Sequence, residues 1–310
     1  GNVIALYDGD TLLGTVIADA NGQWTYATSG LPEGPHTFHA SITDINGNTS
    51  NSPSLTITID TTAPATATDV VLSNDAGSSP VPIAANGVTN DSSPLLTGVG
   101  EPGAVVKVYD GTTLLGTAIV GSNSNWSFSS PALGEGSHSL TTTVTDAAGN
   151  VSQPSAAITF SVDTVAPAAS SILVGANSGA LTSGATTDDN TLDLSGQSEA
   201  KAVIRVYDGT VLLGSAVADT NGAWTFSTAA LTNGNHSLTV TATDVAGNLG
   251  PATSPFVVNV EAGLPAATLT LEVTDDSGTT LVSLADGDST QDTTPLLTGL
   301  AIANAVVTLY

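Results

Sequence analysis

Apolar and polar residues alternate along this chain in short runs. Ala104, Val106 and Val108 fall on one side of such a run and Lys107 and Tyr109 on the other; Leu238, Val240 and Ala242 share a face of another. A period of two places alternate side chains on opposite faces of a strand, one packed and one wet. The runs are bounded by Gly, Asn, Asp and Pro, the residues that turn a chain between strands. The pattern therefore predicts an all-β protein without long helices.

The runs repeat. Tyr7-Asp8-Gly9 returns as Tyr109-Asp110-Gly111 and Tyr207-Asp208-Gly209, each followed by Leu-Leu-Gly, at spacings of 102 and 98 residues. Trp24, Trp126 and Trp224 keep the same intervals, as do His36, His138 and His236, and Asp44, Asp146 and Asp244. Tyr310 stands where a fourth unit would begin its own hairpin. A period near 100 is the size of a domain with its own core, not of a solenoid repeat.

Seven strands are expected between Asp60 and Asp163. Strand A begins after Pro64, strand B carries Leu95-Leu96-Thr97-Gly98, and strand C is Val105 to Tyr109. A hairpin at Asp110-Gly111 leads into Leu114 to Ile119, then come Trp126 to Phe128, Leu140 to Thr145 and a last strand ending at Val162. Seven short strands in about 100 residues fit an immunoglobulin-like sandwich. The fold class expected is thus a tandem of immunoglobulin-like β-sandwiches in an elongated head-to-tail rod. Residues 1–60 would be a partial unit without strands A and B, 61–163 and 164–261 complete units, and 262–310 a partial unit with strands A to C only.

Composition narrows the function. Three basic residues, Lys107, Lys201 and Arg205, face 28 acidic ones, for a net charge of -25. Such a surface does not bind nucleic acid or an anionic membrane, and it favours a cation. There is no Cys, so neither a disulfide nor a thiolate metal site can staple the fold. No apolar run approaches the roughly 20 residues of a membrane helix, so no membrane insertion is expected in this segment. The first residue is not Met and falls inside a strand pattern, which reads as an excerpt whose secretion signal lies elsewhere.

Four motifs carry a family resemblance. They are Leu-Thr-Gly-x-x-Glu-x-x-Ala-x-Val-x-Val-Tyr-Asp-Gly from Leu96 to Gly111, Asn-x-x-Trp-x-Phe, Gly-x-His-x-Leu-Thr-x-x-x-Thr-Asp-x-Ala-Gly-Asn, and Val-Asp-Thr-x-Ala-Pro from Val162 to Pro167. Together they resemble the bacterial Ig-like repeats of giant adhesins exported by type I secretion, over essentially the whole chain. The resemblance implies a secreted, cell-surface rod in which calcium at the domain junctions stiffens the array. It also implies attachment to a host-cell receptor or glycan through the parent protein.

Strand direction sorts the acidic loops by pole. Each strand reverses the last, so Glu101 of the B–C loop and Asp146 of the last hairpin lie beside the linker Asp60-Thr61-Thr62-Ala63-Pro64. Calcium takes 6 to 8 oxygen ligands from carboxylates, carbonyls, Asn and water. At the first junction the candidates are Asp60, Glu101 and Asp146, with Asn150 or backbone carbonyls completing the shell and Asp8 from the preceding hairpin as a further candidate. The second junction offers Asp163, Glu199 and Asp244, with Asn248 and Asp110 in the matching places. Asp and Asn are also ordinary turn residues. Two points favour an ion: Glu101 and Glu199 are not turn formers, and clustered carboxylates repel unless a cation sits among them. The third junction departs from this pattern, with Glu261 at the linker and Ile302 in the B–C loop.

Other acids have plainer readings. Asp19-x-Asn21-Gly22 and Asp219-x-Asn221-Gly222 look ligand-like, but Ser122 replaces the Asp in the middle unit, so that hairpin reads as a turn. Asp91, Asp189 and Asp292 precede strand B, either as a second ion site or as loop-shaping residues. His36, His138 and His236 read as packing or loop anchors, and His39 as a surface residue. Trp24, Trp126 and Trp224 share a face with Tyr26, Phe128 and Phe226, which reads as core; the alternative is a sugar-stacking row. No nucleophile elbow, P-loop or paired His-carboxylate motif is found, and no enzyme is expected. The two partial units could complement each other head to tail between molecules.

Overall fold

The computed structural model describes residues 3–168, 172–263, 270–301 and 306–309; Ile302 and Tyr310 lie outside the described residues. The protein is all-β. Its described residues form 26 strands and no helix. By compactness the chain divides into Gly1–Pro167 with Thr243–Gly250, and Ala168–Ala242 with Pro251–Tyr310.

The first repeat contributes β1 (Val3–Asp8), β2 (Thr11–Ile17), β3 (Gly34–Thr43), β4 (Thr49–Asn51) and β5 (Leu55–Ile59). They form one sheet in the order β2-β1-β3-β4, with β5 also paired to β3. Among the described residues no second sheet covers it, and Trp24 and Tyr26 are 42% and 36% exposed.

The second repeat is a full sandwich. Its strands are β6 (Thr68–Asn74), β7 (Val81–Pro82), β8 (Gly87–Thr89), β9 (Leu95–Val99), β10 (Val105–Asp110), β11 (Thr113–Ile119), β12 (Asn125–Ser129), β13 (Gly136–Thr145) and β14 (Ile158–Val162). One sheet runs β12-β9-β6-β7 and the other β11-β10-β13-β14-β8. The seven expected strands are present, joined by two short ones, β7 and β8. The pairing of β8 with β14 is parallel, which ties the A-side of the chain to the last strand.

The third repeat has the same design in β15 (Ile172–Ala176), β16 (Gly179–Ala180), β17 (Ala185–Thr187), β18 (Asp193–Gln197), β19 (Val203–Asp208), β20 (Val211–Val217), β21 (Ala223–Ser227), β22 (Gly234–Thr243) and β23 (Phe256–Val260). Its sheets run β16-β15-β18-β21 and β17-β23-β22-β19-β20. A last sheet, β25-β24-β26, is built from β24 (Glu272–Asp275), β25 (Val282–Leu284) and β26 (Leu296–Thr298).

Alternation becomes core. Val106 and Val108 on β10 are fully buried and meet Leu96, Leu140, Val144 and Phe160 in one apolar cluster. Leu194, Ile204, Val206, Leu238 and Val258 do the same in the third repeat. Trp126 and Trp224 are each 3% exposed, so in the complete repeats these rings are core. The Leu-Leu-Gly motif follows from this packing. A Cβ on Gly116 would stand 2.7 Å from the Phe128 ring, and one on Gly214 2.6 Å from Phe226. Only glycine lets β11 and β20 run beneath those aromatics.

Candidate junctional site

At the end of each β-hairpin that begins Tyr-Asp-Gly, an Asp meets the repeat's histidine. Asp8 Oδ2 lies 2.5 Å from His36 Nδ1, Asp110 Oδ2 2.7 Å from His138 Nδ1, and Asp208 Oδ2 2.7 Å from His236 Nδ1. The second carboxylate oxygen accepts the next backbone N–H, from Thr37, Ser139 or Ser237, at 2.8 to 2.9 Å. The other ring nitrogen, Nε2, faces the carbonyl oxygen of Pro32, Gly134 or Thr232 at 2.8 to 2.9 Å. With an acceptor at each nitrogen, the ring is held best when both carry protons.

The ionisation balance follows. Burial would lower the His138 and His236 pKa, but the Asp hydrogen bond and the carbonyl outweigh it, and both are raised above the ordinary 6.5. His36 is raised chiefly by its hydrogen bond to Asp8. Burial would raise Asp110 and Asp208, yet the histidine and backbone bonds carry both below the ordinary 3.8. Asp8 is lowered chiefly by His36. Asp8 and Asp110, candidates for the linker shell, are thus engaged with their histidines.

The linker acids are placed differently. Asn150 Nδ2 donates to the Asp60 carbonyl oxygen at 3.1 Å and to Asp146 Oδ2 at 2.9 Å, with Asp60 Oδ1 at 3.5 Å. Asn248 Nδ2 repeats the arrangement, with Asp163 O and Asp244 Oδ2 both at 2.8 Å and Val165 O at 3.5 Å. In each case three oxygens converge on one polar hydrogen-bearing atom. Asp146 Oδ1 accepts the N–H groups of Gly149 and Asn150, and Asp244 Oδ1 those of Gly247 and Asn248. These bonds stiffen the loop. For Asp146 burial pulls the pKa up, but the Asn150 and Gly149 bonds bring it below the usual value.

Glu101 and Glu199 are exposed, and each accepts through its backbone carbonyl the N–H of Ala104 or Ala202 at 3.1 Å. Among the described residues no group of three or more His, Asp or Glu side chains is close enough to hold an ion alone. What the junction offers is a mixed set of carboxylate, carbonyl and amide oxygens. That donor chemistry is hard and all-oxygen, as calcium requires, provided the Asn amide turns its Oδ1 inward.

The remaining acids build loops. Asp19 Oδ1 accepts from Asn21 N and Gln23 N, and Asp219 Oδ1 from Asn221 N and Ala223 N, which are turn bonds. Asp91 accepts Asp75 N and Ser93 N, Asp189 accepts Asn177 N and Thr191 N, and Asp292 accepts Asp276 N and Thr294 N. Each of these three pins one loop to another. His39 stacks on Tyr7 with ring centroids 4.9 Å apart.

Residues 1–61, 62–164 and 165–261 each match the family described as the bacterial Ig-like domain. Among curated proteins, none matches the chain. Among solved structures, the chain is similar to fibronectin(III)-like modules of CbhA from Clostridium thermocellum, at 16% identity and a TM-score of 0.37, covering 62% of this chain and 94% of that one. It is similar to a structure from a 1.5-MDa bacterial ice-binding adhesin, at 19% identity and a TM-score of 0.33, over 84% and 87% of the two chains. It is also similar to a tetra-tandem repeat from the extending region of a large adhesion protein, at 19% identity and a TM-score of 0.28, over 98% and 84%. Successive family matches across 261 residues show that the chain belongs to the bacterial Ig-like domain family.

Proposed function

We propose that this chain is a spacer segment of a bacterial surface adhesin and that calcium at the junctions stiffens it. The reading extends to export by type I secretion and to host-cell attachment through a distal region. Within that class the giant non-fimbrial adhesin of Salmonella is the protein whose scarcity of basic residues this chain resembles. The observation that carries the calcium reading is the convergence of oxygens on Asn150 Nδ2 and Asn248 Nδ2. A cation replaces the amide hydrogens as the positive centre, held by Asp60, Asp146 and Asn150 at one linker and by Asp163, Asp244 and Asn248 at the next. Glu101 of the B–C loop, and Glu199 at the matching place, are the further carboxylates this reading would recruit, since the described side chains alone form no three-acid group. Asp8 or Asp110 enters such a shell only at the expense of its histidine bond.

A net charge of -25 supports this reading, since few basic residues are available to neutralise these acids. Glycan binding along an aromatic row, the competing reading, is disfavoured by the burial of Trp126 and Trp224. Titration calorimetry with calcium tests the site. Saturable binding that is lost at one junction in Asp146→Asn and at the other in Asp244→Asn supports it; no heat above dilution, or binding indifferent to both substitutions, overturns it.

A further inference from the structure

Each linker is also held from behind, by a residue outside the acidic set. Glu33 stands just before β3, Glu135 before β13 and Asn233 before β22, each followed by a glycine, and those strands begin opposite the ends of β5, β14 and β23. The glycines, Gly34, Gly136 and Gly234, have φ of 120°, 106° and 129°, a conformation L side chains rarely adopt. That kink lets the preceding side chain reach past the end of the neighbouring strand.

What it reaches is the linker. The Glu33 carboxylate accepts Thr61 N at 2.9 and 3.1 Å and the Thr61 hydroxyl. Glu135 accepts Thr164 N at 3.1 and 3.3 Å and the Thr164 hydroxyl. In the third repeat both partners change together. Asn233 Oδ1 accepts Ala262 N at 2.9 Å while its Nδ2 donates to Ala262 O at 3.0 Å. The chemistry matches in each case: an acceptor-only carboxylate faces the two donors of a Thr, and an amide that can both donate and accept faces the C=O and N–H of an Ala. Turn formation alone does not require that pairing to change in step.

We infer that Glu33, Glu135 and Asn233 are linker latches, which fix the first residue after each linker acid and hold the junction in register without a metal ion. Asp163 shows the result. Its N–H donates to Thr89 O at 2.9 Å, its Oδ1 accepts Val165 N at 3.1 Å, and its carbonyl accepts from Asn248, while Glu135 holds Thr164. The linker is therefore gripped by the repeat before it and the loop after it. This inference does not rest on calcium, and it predicts that chelation loosens the junction without releasing it.

Hydrogen exchange on the full chain in chelator tests the latch. In Glu135→Ala, amides of residues 162–166 should exchange about tenfold faster, the loss expected for a hydrogen bond to a charged group, while β13 stays protected. The double variant Glu135→Asn with Thr164→Ala transplants the third repeat's pairing and should restore slow exchange. Unchanged exchange in Glu135→Ala, equal loss of protection in β13, or failure of the double variant to recover would each overturn the proposal. The wild-type chain with added calcium reads the metal site separately, so either idea can fail alone.

Discussion

Replacing Asp110 by Asn isolates the charge in the Asp–His clamp while keeping its shape. In the native pair Asp110 is about a quarter exposed and His138 about a tenth, so the bond is only partly screened. A hydrogen bond between charged partners contributes about 1.5 to 3 kcal/mol net, and exposure discounts this to about 1 kcal/mol. The sign is set by the shifts. His138 is raised from 6.5, so its contribution is complete below that pH and is lost as pH rises through the higher folded value. Asp110 is lowered from 3.8, so its contribution is complete above that pH and is lost as pH falls through the lower folded value. The clamp is thus strongest between about pH 4 and 6.5. Scanning calorimetry of the full chain should show Asp110→Asn lowering the second repeat's transition by about 4 to 8 °C at pH 5.5, the shift that about 1 kcal/mol gives a domain of this size. At pH 9 the drop should be clearly smaller, and the His138 ring should titrate at lower pH by NMR in the variant. An equal drop at both pH values would refute the charge-based account.

Other expectations concern packing and assembly. Gly116→Ala places a methyl 2.7 Å from Phe128 and should destabilise the second repeat by about 1 to 3 kcal/mol in urea unfolding; adding Phe128→Leu should recover part of that, and strict additivity would contradict the clash. Leu96→Ala empties a fully buried position and should cost about 2 to 5 kcal/mol by the same assay. The open face bearing Trp24 and Tyr26 is predicted to take the β24–β26 sheet of a second molecule, with Trp24 opposite Gly299 as Trp126 is opposite Gly98. Light scattering should then show concentration-dependent association that Trp24→Ser weakens; a monomer at all concentrations excludes it.

Much of the sandwich was legible because burial on one face imposes a period of two, and Val106, Val108, Leu238 and Val240 carry it plainly. The strands β7 and β8 were not, because two or three residues beside Pro and Asn have no period to read. The Asp–His clamp was half legible. Sequence marks the histidines as packing or loop anchors and Asp8 and Asp110 as linker ligands, and finds no paired His–carboxylate motif, whereas the structure joins an Asp to each His; the separation of 28 residues in all three repeats, constant while the repeat spacing drifts, is the available signal. The latch residues leave no repeat signature in the sequence because Glu33 and Glu135 give way to Asn233, and a change of residue type masks a position whose partner changes with it.

On the proposed reading, calcium at the junctions turns a string of Ig-like domains into a stiff spacer. Small-angle scattering of the full chain, in calcium and again in chelator, tests it most directly. The expected result is a maximum particle dimension that is larger and better defined in calcium, and a shorter, broader distribution once the carboxylates repel without their ion. An unchanged particle length, with an unchanged melting temperature, would contradict it.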